Sequence, residues 1–241
     1  MTAAKDGLRP DAIECRGMVI PFRYCHARRR TLGMTVRPDK SVIVRAPLRA
    51  SLGEIRDFVS RRAAWIAKVW REFDAMPPKP PRTYESGTVF RFLGREYGLT
   101  PERGATESAG LRGDALVVAA PDEPDPRTAR RLVDAWYRDQ AAVIFRERAI
   151  LCHRRLAAEG IPLPAIVIRP MKSRWGSYSY RTGRMTLNLH LIEAPPACLD
   201  YVIIHELCHI RERHHGPGFW RLVERYVPDH AALRRLLNAL V

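Results

Sequence analysis

The stretch from Pro195 to Arg213, PPACLDYVIIHELCHIRER, constrains this chain more than any other. Leu199, Val202, Ile203, Leu207 and Ile210 recur at helical spacing, so the segment reads as a helix with an apolar side. Into that helix the sequence sets His205, Glu206 and His209. Polar groups on a largely buried helix are costly unless they are paired or ligated. Residues four apart project from one helix face about one turn apart, so the two imidazoles can share a cation.

His205-Glu206-x-x-His209 is the zincin signature. Zinc takes neutral imidazole nitrogens at about 2.0–2.1 Å, and a catalytic zinc lowers the pKa of its water toward about 7. Glu206, beside the first ligand, is expected to accept a proton from that water and pass it to the leaving group. The expected cofactor is one Zn2+ ion. His215 is the expected third ligand, because Gly216, Pro217 and Gly218 can end the helix and turn the chain back. His214, Glu224 and Asp229 are the alternatives. Cys208 reads as a small core residue rather than a ligand.

The rest of the chain supplies a scaffold. MVIPFRY (18–24), TLGMTVRPD (31–39) and SVIVRAP (41–47) read as strands, the last two joined by a turn at 38–40. A helix from Ser51 to about residue 73 follows, with Ser51 and Glu54 at capping-box spacing. The proline cluster at 76–87 interrupts regular structure. TVFRFLG, REYGLT and ALVVAAP are further strands, and a long helix runs from about Pro126 to Glu159 with Gly160 as its stop. AIVIRP is a strand, and SRWGSYSYRTGRMTLNLHL reads as two strands about an Arg-Thr-Gly turn. Helices follow from Pro195. No internal repeat is evident. The predicted class is α+β: a polar tail over 1–16, a β-rich region with one helix over 17–124, and a catalytic domain over 125–241.

Charge narrows the partners. The net charge is +15, and residues 1–75 hold 16 basic against 8 acidic side chains. Such an excess suits nucleic acid or another polyanion; general overuse of arginine would give the same balance. Zinc fingers, helix-turn-helix motifs and aromatic stacking platforms are not recognisable. The chain has no apolar run of membrane-spanning length and no signal-peptide core. Five cysteines (Cys15, Cys25, Cys152, Cys198, Cys208), odd in number and without paired spacing, fit a reducing cytoplasm.

RRRTLGMTVRPDKSVIVRAP, PRTYESGTVFRFLGREYGL, KSRWGSYS, LNLHLIEAPPACLDYVIIHELCHI and HHGPGFWRLVERYVPD together resemble the YgjP-like metallopeptidase domain, a relative of SprT-like and WLM zincins. The resemblance runs from about residue 17 to the end. It implies a zincin-like fold, zinc ligands at His205, His209 and His215, and Glu206 as catalytic acid/base. Phe219 and Trp220 match the family's aromatic pair after the third ligand, with packing as their expected role. One departure is Tyr178, where the family usually has cysteine; the expectation is that this position is structural. Arg174 is a candidate for binding an anionic group or an oxyanion, and Trp175 for lining the cleft. MTLNLHL, with Asn188 and His190, is a candidate sheet edge for an extended peptide, while His190 itself is expected to be an ordinary histidine. The leading expectation is a zinc-dependent hydrolase of peptide bonds. The alternatives are a nucleotide pyrophosphohydrolase, a DNA-associated protease of SprT type and a non-enzymatic protein.

Overall fold

The computed structural model describes residues 7–15, 17–37, 39–75, 82–171 and 174–240. Parts of the expected tail, of the turn at Pro38, of the proline cluster (76–81) and of the KSRWGS motif (Lys172 and Ser173) lie outside the described residues. The described residues form six α-helices and three mixed sheets, an α+β fold. The chain divides into two compact units, Met1–Pro80 and Pro81–Val241.

In the first unit, β1 (Arg9–Cys15) and β2 (Met18–Ala27) form an antiparallel hairpin that closes where Cys15 faces Met18, with Gly17 at φ +72°. β4 (Val42–Pro47) runs parallel to β2, and β3 (Gly33–Val36) lies antiparallel on the far side of β4. Ile20, Phe22, Tyr24, Val42, Val44 and Ala46 alternate onto one face of this sheet. That face meets Ile55, Phe58 and Val59 of α1 (Leu52–Ser60) and Ala63 and Ile66 of α2 (Ala63–Ala75). Ser51 and Glu54 form the expected capping box.

Two expectations change here. The single helix over 51–73 breaks at Arg61 and Arg62, so that one apolar stripe is buried before the turn and another after it. The expected polar tail contains β1, because Ile13 and Cys15 alternate onto the same core while Ala12 and Glu14 stay exposed.

The second unit opens with a sheet of order β5-β6-β8-β7: β5 (Val89–Phe92), β6 (Arg95–Arg103), β7 (Ser108–Arg112) and β8 (Ala115–Ala120). Phe90, Leu99, Leu116 and Val118 share a core with Leu132, Val133 and Phe145 of α3 (Pro126–Arg155). The division between units therefore falls in the proline cluster, and these strands pack with the C-terminal helices rather than apart from them at residue 124. Asp125 caps α3 by accepting the Thr128 N–H at 2.7 Å.

This sheet repeats the first. Both consist of an antiparallel hairpin, a parallel pairing, a second antiparallel strand and then a capped helix. Moving along the chain by 77 residues carries Cys15, Gly17 and Phe22 onto Phe92, Gly94 and Leu99 with the pairing register intact. Moving by 74 carries Val42, Val44 and Ala46 onto Leu116, Val118 and Ala120, and the cap Ser51 onto Asp125. The same 74-residue step carries the buried trio Ile55, Phe58 and Val59 onto Ala129, Leu132 and Val133. The chain thus holds two copies of one ββββα module, which the sequence reading did not detect.

The third sheet has order β10-β11-β9: β9 (Ala165–Arg169), β10 (Gly176–Ser179) and β11 (Arg184–Asn188). β11, expected to offer an edge, is the central strand, with β9 parallel on one side and β10 antiparallel on the other; β10 is an edge. A 3-10 turn (Leu189–Glu193) leads to α4 (Pro196–Arg211), α5 (Pro217–Tyr226) and α6 (His230–Ala239). The β5–β6 turn braces this approach to α4: the Leu93 and Gly94 N–H groups donate to the Ile192 and Glu193 carbonyls at 2.8 and 3.2 Å. Among the described residues, no helix is long and apolar enough to cross a membrane.

Candidate metal centre

α4 is buried nearly all round, through Cys198, Leu199, Tyr201, Val202, Ile203, Ile204, Leu207 and Cys208. Pro196 occupies its first turn, where a missing N–H costs nothing. The helix ends at Glu212, and the chain turns through 212–216 before α5 starts at Pro217. This turn brings His215 back to α4. The His205 and His215 Nε2 atoms are 3.0 Å apart, and ligand atoms of His205, His209 and His215 all lie within 4.8 Å of one another. His214, Glu224 and Asp229 are exposed and lie outside this group.

The donor set fits a cation. Two nitrogens on one tetrahedral zinc, each about 2.0–2.1 Å from it, are about 3.3 Å apart, close to the separation here. The His209 Nδ1 lies 3.0 Å from the Glu212 carbonyl; as donor there, it leaves Nε2 free to ligate. Burial pushes the His205 imidazole down to about 3, with the neighbouring histidines adding to the shift. Burial lowers His209 and His215 as well, so the ring trio favours the neutral, ligating form.

Aromatic rings form the floor. Phe219, fully buried on α5, touches all three imidazoles, with ring centroids 4.9, 4.5 and 4.7 Å away. Trp220 stacks on His215 at 5.7 Å and on His230 at 5.3 Å. Phe219 and Trp220 therefore do pack, as expected, and what they pack against is the histidine cluster itself.

Glu206 is buried on the side of α4 that meets β10. A Cβ on Gly176 would stand 2.8 Å from a Glu206 carboxylate oxygen and 2.8 Å from Val202, so only glycine lets strand and helix approach this closely. The Tyr178 backbone N–H on β10 draws the Glu206 pKa downward. Burial pushes the Glu206 carboxyl up to about 7, against the opposing pull of that N–H and of the Arg174 charge. Tyr178 thus acts here through its backbone.

Arg174 is exposed and Trp175 is partly buried against the core. Their loop is held by Asn188, a buried amide that sequence reading left without a role. Its Nδ2 donates to the Met171 and Arg174 carbonyls at 2.9 and 3.0 Å, and its Oδ1 accepts the Met171 and His190 N–H groups, both at 3.2 Å. His190 lies outside the cluster, its Nδ1 2.8 Å from Glu193. Tyr180, also unassigned from sequence, donates its hydroxyl to the His209 carbonyl, with Arg213 over its ring at 4.8 Å. Glu159 ties Arg211, Arg225 and Tyr226 together where α4 and α5 end.

A helix bearing His-Glu-x-x-His, closed by a third imidazole from the following turn, defines an α+β domain of metallopeptidase type. The chain belongs to the family described as YgjP-like, metallopeptidase domain, whose pattern matches residues 30–240. It is 36% identical over 64 residues to an uncharacterized protein of Methanocaldococcus jannaschii; the match takes in 25% of this chain and 58% of that one. Among solved structures, the metallopeptidase zymogen of Pyrococcus abyssi abylysin is similar at 23% identity with a TM-score of 0.36, over 39% of this chain and 92% of the other. The zymogen of Methanocaldococcus jannaschii jannalysin is similar at 25% identity with a TM-score of 0.35, over 40% and 90%.

Proposed function

We propose that the protein is a zinc-dependent peptidase with His205, His209 and His215 as metal ligands and Glu206 as general base. The observation that carries this reading is the convergence of the three imidazoles within 4.8 Å on and beside the helix that bears a buried Glu206. Family membership supports it. When bound, the ion supplies Lewis acidity toward a substrate carbonyl and acidifies water.

The remaining steps belong to the chain's own groups. Glu206 accepts a proton from the attacking water and returns it to the leaving amine. Gly176 gives that carboxylate room against β10. Arg174, held in place by Asn188, offers positive charge to an anionic or oxyanionic substrate group. The substrate is a peptide or protein.

Metal analysis of wild type, His215→Ala and His214→Ala, together with casein cleavage by Glu206→Gln, tests the reading. Expected are one zinc in wild type and in His214→Ala, its loss in His215→Ala, and a Glu206→Gln protein that keeps zinc but not turnover. Metal-free wild type, or full turnover in Glu206→Gln, overturns it. Pyrophosphate release from nucleoside triphosphates without casein cleavage would replace the peptide substrate with a nucleotide.

A further inference from the structure

The duplicated module shows where the first copy departs from the second. In the second copy α3 packs along β7, the strand equivalent to β3. In the first copy α1 packs instead along β1, at the opposite edge of its sheet. Among the described residues, no helix packs as closely along β3, although Met34 and Val36 still lean on the core. An open cavity of about 390 Å³ lies there, lined by Leu32, Gly33, Met34, Phe58, Arg62 and Trp65. Trp65 is 47% exposed, a large apolar surface to leave in water. The positions matching Leu32, Arg62 and Trp65 in the second copy are Glu107, Trp136 and Asp139, so the groove is peculiar to the first.

Two features define what fits. β3 is an edge, and among the described residues no strand pairs with its outer side; such an edge accepts an added extended strand. The rim is cationic. The Arg62 guanidinium lies over Phe58 at 4.0 Å, and the Arg29 guanidinium lies against Gly33. The Arg29 Nε is buried without a hydrogen-bond partner, and among the described residues neither arginine pairs with a carboxylate.

We propose that this groove binds an extended, acidic segment of another polypeptide, which pairs with the free edge of β3 and seats an apolar side chain against Trp65 and Phe58. The arginines meet its carboxylates. The proposal is independent of the metal centre, and its test uses binding alone.

The probe is a fluorescein-labelled seven-residue peptide alternating glutamate with leucine and phenylalanine, titrated with the full chain and followed by anisotropy. Saturable binding is expected. Trp65→Ala, at an exposed position, is expected to weaken it at least about tenfold, the loss of one buried anchor. Arg62→Glu is expected to do the same, and a lysine-for-glutamate peptide to regain affinity for that variant. N-methylation of alternate peptide nitrogens removes strand pairing and is expected to abolish binding. Unchanged affinity in Trp65→Ala, or no saturation by wild type, overturns the proposal. So does a groove that takes single-stranded oligonucleotide in place of the peptide, or a Trp65-dependent dimer of the chain itself.

Discussion

Gly176 and Glu206 stand thirty residues apart in sequence and in contact in space. Gly176→Ala is expected to displace the carboxylate, lowering casein turnover by about a hundredfold while costing only about 1–3 kcal/mol in urea unfolding. Asn188 makes a different demand. Asn188→Asp keeps its shape but turns two donated hydrogen bonds into oxygen facing oxygen. A loss of about 2–4 kcal/mol is expected at pH 7, read by chemical denaturation. Glu193 sets an acid limit. Burial alone would raise its carboxyl, but hydrogen bonds from His190 and Arg82 outweigh burial and hold it below the ordinary range. A carboxyl lowered in the folded state stabilises above its unfolded pKa, about 4.3, and that gain is lost as pH falls through the folded value. Glu193→Gln is therefore expected to unfold about 2 kcal/mol more easily at pH 7, with the deficit shrinking as the pH falls below the ordinary carboxylate range. Of these residues the sequence announces only Glu206, because a spacing of one and four along a helix is local. Gly176 and Asn188 act through neighbours that only the fold supplies.

Among the elements, α4 was legible and its surroundings were less so. A long apolar helix with a polar insertion declares itself, and so does the Gly-Pro-Gly turn after His215. β7 was not foreseen: SAGLR is neither alternating nor strongly apolar, and it is a strand because β8 pairs with it. β11 is central rather than an edge because β9, from beyond a loop, runs parallel to it. The role of α5 also needed the fold. Phe219 and Phe145 are both fully buried, but only Phe219 lies under the imidazoles. Each Phe→Ala change is expected to cost about 3–5 kcal/mol. Only Phe219→Ala is expected to raise the zinc dissociation constant as well, by about tenfold, as loss of support behind metal ligands does; equal effects of the two on metal affinity would show that the ring floor has no part in holding the site.

At the scale of the molecule, two compact units with separate cores set the unfolding behaviour. Only the second contains the histidine cluster. A metal stabilises the unit that binds it and no other, so chelation is expected to lower a transition reported by Trp220 and to leave unmoved one reported by Trp65 and Trp70. A single transition, shifted as a whole by chelator, would refute this. The internal duplication escaped the sequence reading because loops of unequal length change the offset between copies from 77 to 74, and because packing asks only for apolar residues at the matched sites. The twin hairpins carry a practical corollary. The Gly94 tip is wedged against Pro195, while Gly17, its counterpart, has open space around it. A peptide tag or small reporter grafted at Gly17 leaves the scaffold a place to tolerate it; the same graft at Gly94 would pry at the root of the helix that carries the histidines.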